Sequence, residues 1–288
     1  MRPDQLKKFA IVLSSWLLLC IDAIAVEPQA WLESTRGGKA QVLQAAELNV
    51  AERLFKRTFN LGVSESLVRD WQKLGFELTL ITYQGEKIAA LRELPEDKRG
   101  RGAYLIRTEL VSAPLLQAPH RYFDKHSGTL VMQLFLQGPF KAAAWNTVHR
   151  READLARQQN SYFTAFARAL TASLPDSLLI QVHGYSSAQR NTASGRESQL
   201  ILSAGHHWPS NRHRLMADCL QQRVSNKAML FPVQTRELGG TLNPVASALH
   251  EAGFDNFVHL ELSASLRQQL SDDAGLSNAL ASCLLENF

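Results

Sequence analysis

The amino-acid sequence predicts an α/β fold: a mostly parallel, mixed sheet with helices on both faces, in a single domain. Three observations carry that expectation. From about residue 103 onward, short apolar runs alternate with segments of helical periodicity, the pattern of strands joined by covering helices. No segment repeats another, and no long flexible linker divides the chain. With 288 residues, 45% hydrophobic and 20% charged, there is enough apolar material for one sizeable core.

Residues 1–25 stand apart. Arg2, Lys7 and Lys8 precede the apolar run "FAIVLSSWLLLCI", which is short for a bilayer span. "AIA" at 23–25 then supplies the small-x-small pattern of a signal-peptidase site. We expect a cleaved secretory signal at 1–25, a mature domain at 26–288, a periplasmic or secreted location, and no stable membrane span after cleavage. Cleavage leaves Cys219 and Cys283, which either pair in an oxidising compartment or stay as buried thiols.

Each element of the mature chain follows from its pattern. Apolar residues at helical spacing over 42–59 and 65–76 predict two opening helices. "FELTLITYQGEKIAALREL" predicts a hairpin turning at Gln84, Gly85 and Glu86, and the charged run "PEDKRGRG" at 95–102 an exposed loop. Strands follow over 103–110, 113–119 and 140–148, with a helix over 127–138 between the last two and a long helix over 151–174 after them. The remainder alternates: strands at 176–183 and 198–204, helix at 210–223, strand at 228–233, helix at 243–253, strand at 256–263, and a closing helix at 277–288.

In open α/β sheets, ligands bind beyond the carboxyl ends of the strands. Reactive side chains just after predicted strands are therefore the candidates. "APHRYFDKHSG" presents His120, Asp124 and His126, and "WNTVHRR" presents Asn146, His149, Arg150 and Arg151. His183 ends "LLIQVH", and Glu261 lies in "FVHLELS" between Leu260 and Leu262, where a carboxylate is costly unless it has a role. A zinc hydrolase needs about three nitrogen or oxygen ligands, an open position for water, and a carboxylate to take the water's proton. His120 and His183, with Asp124 or His126, supply the ligands, and Glu261 the base. Arg150 or Arg151 with Asn146 offers a clamp for a substrate carboxylate.

These motifs resemble those of zinc carboxypeptidases and N-formylglutamate amidohydrolases. "IQVHGYSS" looks like the strand that carries the second histidine ligand in the carboxypeptidases, and "VHLELS" like the strand that delivers their glutamate. "WNTVHRR" is similar in placement to their carboxylate-holding asparagine and arginine, and "RELGG" to a stretch of the amidohydrolases. The resemblance implies the zinc-exopeptidase sheet, His183 as a metal ligand and Glu261 as general base. Taken with the residues at the other strand ends, we expect Zn2+ held by His120, Asp124 and His183, and a substrate bound by Asn146 and Arg150. The expected activity is hydrolysis of an amide bond in a small peptide or acyl amino acid, and the expected periplasmic location alone points to cell-wall fragments. Where that family has His-x-x-Glu, this chain has His120-x-x-x-Asp124.

Two other readings use the same residues. "GYSSA" approximates a nucleophile elbow with Ser186, followed by Asp255 and His259 in α/β-hydrolase order. A metal-free peptide-binding protein on the same fold is the other. The formal charge of +4 comes without a basic stripe interleaved with aromatics, so no nucleic-acid partner is expected. "HHW" at 206–208 and His213 read as a loop near the site.

Overall fold

The computed structural model describes residues 27–109 and 113–286. The expected signal at 1–25 lies outside the described residues, as do the ends of the strand expected over 103–110 and of the closing helix.

Nine strands form one mixed sheet: β1 (Phe76–Tyr83), β2 (Glu86–Glu93), β3 (Ala103–Arg107), β4 (Leu115–Ala118), β5 (Ala142–Trp145), β6 (Leu179–Tyr185), β7 (Leu200–Ser203), β8 (Ala228–Leu230) and β9 (Phe257–Ser263). Their spatial order is β1-β2-β3-β5-β4-β6-β9-β7-β8. The central run β5-β4-β6-β9 is parallel, as is the β7/β8 pair. Antiparallel pairing joins β1, β2, β3 and β5 on one side and β9 to β7 on the other. The hairpin turns at Gln84 and Gly85, both at positive φ (49° and 85°), which suits the right-handed twist of its strands.

Helices cover both faces. On one lie α2 (Ala45–Leu61), α3 (Glu65–Lys73), α5 (Tyr162–Ser173) and α8 (Pro244–Glu251), whose Phe55, Trp71, Phe166 and Leu249 pack on Leu115, Leu179 and Phe257. On the other lie α1 (Pro28–Ser34), α4 (Ser127–Gln137), α7 (Asn211–Arg223), α9 (Ala264–Asp272) and α10 (Ala274–Leu285), packed on Leu116, Ile180, Val182 and Leu260. The short α6 (Ala193–Glu197) follows β6. Cys219 of α7 and Cys283 of α10 form a disulfide. Among the described residues, no helix is long and apolar enough to cross a membrane.

Three expectations need correction. The helix expected over 151–174 begins only at Tyr162, because the Ser161 hydroxyl accepts the Thr164 N–H and caps it there; 151–160 is irregular. The closing helix begins at Ala274, capped by Asp273, and a separate α9 precedes it. The charged run at 95–102 is not wholly solvated. Arg101 is buried, bonded to buried Glu93 at 2.7 Å and stacked 4.5 Å over the Phe76 ring.

Candidate active site

Side chains alternate along a strand, so residues two apart share a face. On the face where Leu115, Leu179 and Phe257 bury, the next positions toward the carboxyl ends turn polar: Gln117 on β4, Gln181 and His183 on β6, His259 and Glu261 on β9. Strand register aligns them in rows, Gln117 beside Gln181, Gln181 beside His259, and His183 beside Glu261. Each of these residues is buried. They line or underlie a cavity of about 760 Å3 at the ends of the parallel strands.

His120 arrives from the loop after β4 and meets His183 with the two Nδ1 atoms 3.2 Å apart. Asp124 Oδ2 lies 3.5 Å from His120 Nδ1 and 3.9 Å from His183 Nδ1, held by the Gly184 N–H at 2.8 Å. The three expected ligands thus converge, with donor atoms within 4.8 Å of one another. His126 does not join them. It sits at the start of α4 with φ 71° and lines a separate small pocket with Arg121 and Tyr122.

Both rings are oriented from behind. His183 Nε2 lies 3.2 Å from Gln181 Oε1, which also accepts from Asn243 Nδ2 at 2.6 Å. An amide oxygen accepts only, so Nε2 of His183 carries the proton and Nδ1 the lone pair. His120 Nε2 lies 2.8 Å from the Asp154 carboxylate, which likewise makes that nitrogen the donor. With both rings neutral, two lone pairs would face each other across 3.2 Å beside a carboxylate. That arrangement calls for a cation between them, a proton or a metal ion, so the residues fit a divalent metal with nitrogen and oxygen ligands.

The electrostatics differ between the two rings. Burial, reinforced by His259 and His120, holds the His183 imidazole well below its ordinary pKa and hence neutral, the form that ligates. His120 is instead raised, because Asp124 and Asp154 outweigh the desolvation that opposes it. Burial, with Asp124 adding, pushes the Glu261 carboxyl up to about 8. Its Oε2 has no hydrogen-bond partner, and neither have Gln117 Nε2 and His259 Nδ1.

The two expected substrate-binding residues separate. Arg150 lines the cavity, bonded to Asp154 at 3.1 Å and stacked 4.7 Å over the Phe123 ring. Asn146 does not reach it. Its amide donates to the Pro119 and Ala153 carbonyls at 3.0 and 3.2 Å and accepts the Val148 N–H at 3.0 Å, pinning the loop that holds Asp154.

Ser186 lines the cavity, yet its relay is not assembled: His259 Nδ1 has no partner, and Asp255 is exposed beside His206 and His250. The "RELGG" stretch forms a cavity wall, where a Cβ on Gly240 would fall 2.9 Å from the His259 ring. Gly184 is equally constrained, since a Cβ there would strike the Arg267 guanidinium at 2.1 Å. Gln181, Asn243 and Asp154 escaped the sequence reading as site residues. Only Gln181, two before His183 and so on its face, left a usable signal.

No protein-family model and no curated protein matches the chain. Among solved structures it is similar to a bacteriophage poly-gamma-glutamate hydrolase (14% identity over 67% of this chain and 90% of that one, TM-score 0.39). It is also similar to a "putative carboxypeptidase" from Burkholderia mallei (10%, 80% and 69%, TM-score 0.41) and to an aspartoacylase family protein from Mesorhizobium loti (12%, 73% and 66%, TM-score 0.37). At these TM-scores the functional argument rests on the geometry of the site.

Proposed function

We propose that the protein is an exported, metal-dependent amidohydrolase or carboxypeptidase-like enzyme that hydrolyses an amide bond in a small peptide or acyl amino acid, cell-wall fragments included. The observation that carries this reading is the convergence of His120 Nδ1, His183 Nδ1 and Asp124 Oδ2, the two nitrogens 3.2 Å apart and the carboxylate 3.5 and 3.9 Å from them. His120, Asp124 and His183 would hold the ion, zinc by the chemistry of these donors, which when bound supplies Lewis acidity and a water of lowered pKa.

Glu261 is the general base. Buried, with one oxygen unpartnered at the cavity, it is protonated in the metal-free protein; beside a bound cation it would be ionised, and would then take a proton from water and return it to the leaving nitrogen. Arg150 presents a guanidinium at the cavity wall to an anionic substrate group. The disulfide between Cys219 and Cys283 supports an oxidising location, periplasmic or secreted.

The test is metal content of untagged protein beside His183→Ala, followed by amidase assays beside Glu261→Gln. Near-stoichiometric zinc that falls in the first variant, with activity lost in the second, is expected. Protein that takes up no metal when zinc is supplied refutes the reading and favours a metal-free peptide binder.

A further inference from the structure

A second cluster of ligating side chains lies away from the cavity. The sequence placed "HHW" and His213 near the site; the structure puts them elsewhere. β7 runs antiparallel to β9 with Ser203 beside His259, so the chain leaving β7 passes the chain entering β9. There His206, after β7, meets His250, in the last turn of α8, and Asp255, just before β9. At about 3.3 Å per residue, the start of β9 at Phe257 is roughly 13 Å from Glu261. His213 is committed to the fold, bonded to the Phe257 carbonyl and to Ser210.

We propose that His206, His250 and Asp255 form a second divalent transition-metal site, at the end of β9 opposite the cavity. One donor atom from each lies within 4.8 Å of the others, and the two rings are 4.4 Å apart between centroids. Tetrahedral ligands about 2.1 Å from an ion stand roughly 3.4 Å apart, so the donors need to draw in by at most about 1.4 Å. The side chains have that freedom: both imidazoles are half-buried and Asp255 is exposed. His250 Nε2 is buried without a hydrogen-bond partner, a lone nitrogen that an ion would satisfy. Two imidazoles and one carboxylate suit zinc, nickel or copper rather than magnesium or calcium.

Capture of the ion has a local consequence. His206 Nδ1 accepts the Trp208 backbone N–H at 3.1 Å. A neutral imidazole has one lone pair, so ligation through either nitrogen ends that bond. Trp208 is 78% exposed, and its ring lies 6.0 Å from that of His206. Its fluorescence therefore reports on the site.

The experiment is equilibrium dialysis against Zn2+ with Cu2+ quenching of tryptophan emission, on wild type, His206→Ala/His250→Ala, Asp255→Asn and His183→Ala. Wild type is expected to bind two equivalents of zinc; the double variant loses one of them together with the quench that Trp208→Phe also removes, while His183→Ala loses the other and keeps the quench. Asp255→Asn, at an exposed position, is expected to weaken the site about tenfold with the fold intact. Unchanged stoichiometry and quenching in the double variant overturn the proposal. Wild type that binds one equivalent only, lost in the double variant and retained in full by His183→Ala, supports this site while refuting the cavity as a metal centre.

Discussion

Glu261→Gln is expected to abolish hydrolysis and to stabilise the metal-free protein, increasingly so as pH rises. The side chain is buried, its carboxyl is raised from 4.5 to about 8, and one oxygen is unpartnered. Below pH 4.5 the group is protonated in both the folded and the unfolded chain, and the substitution gains only what the amide itself changes. Between 4.5 and about 8 the unfolded chain releases the proton and the folded protein keeps it, so wild type loses about 1.4 kcal/mol per pH unit through this residue. Glutamine does not titrate. The advantage of the variant therefore grows to about 4 kcal/mol at pH 7.5 and levels off near 5 kcal/mol above pH 8.

His259, lowered to about 4, and His183, also lowered, contribute stability that is present above 6.5 and lost as pH falls, so the comparison belongs between pH 6.5 and 8. His120, raised, loses its contribution as pH climbs through its folded value, but it does so in both proteins and cancels in the difference. The assay is urea unfolding of chelator-treated wild type and variant at several pH values in that window. Parallel stability curves, with no pH-dependent gap, would refute the claim that Glu261 is held protonated by burial.

Other outcomes follow from the same geometry. Asp154→Asn, which weakens the acceptor behind His120, is expected to lower metal affinity 10- to 100-fold while leaving the fold intact, measured by competition with a chromogenic chelator. Asn146→Ala removes three hydrogen bonds from a buried loop and is expected to cost about 3 kcal/mol of stability, read by denaturant midpoint, with KM of the folded fraction unchanged. Arg150→Ala is expected to do the reverse, raising KM for an anionic substrate at least tenfold with little change in kcat. Replacing Cys219 and Cys283 by serine opens a link across 64 residues and is expected to cost about 4 kcal/mol in thermal or urea unfolding.

Strand identity and the strands that carry His183 and Glu261 to the cavity were legible because burial on both faces leaves near-continuous apolar runs, and a lone His183 or Glu261 stands out against them. The antiparallel joins of β3 to β5 and β9 to β7 were not, since pairing partners are set by tertiary packing that a single strand's pattern does not encode. Asn146 misled for a related reason. Its position after β5 matched a ligand-facing residue, yet the irregular course of 151–160 brought the Ala153 carbonyl within its reach, and with the Pro119 carbonyl and the Val148 N–H this consumed its amide. That same irregular course delivers Asp154 to His120. Read as continuous helix from 151, the segment hid both roles.

The polar rows on β4, β6 and β9 also explain why this face is a site rather than an imperfect core. Gln117 Nε2, His259 Nδ1 and Glu261 Oε2 are buried without hydrogen-bond partners, and each such atom costs about 1–3 kcal/mol. Apolar residues at these positions would extend the packing of Leu115, Leu179 and Phe257 and remove that cost. His183, in contrast, is backed by Gln181, which Asn243 steadies while capping α8 through the Val245 N–H. The chain therefore orients the His183 and His120 rings from behind and leaves the groups that face the cavity unsatisfied. A bound ion, water and substrate can satisfy those groups, so occupancy of this cavity and stability of the fold are coupled.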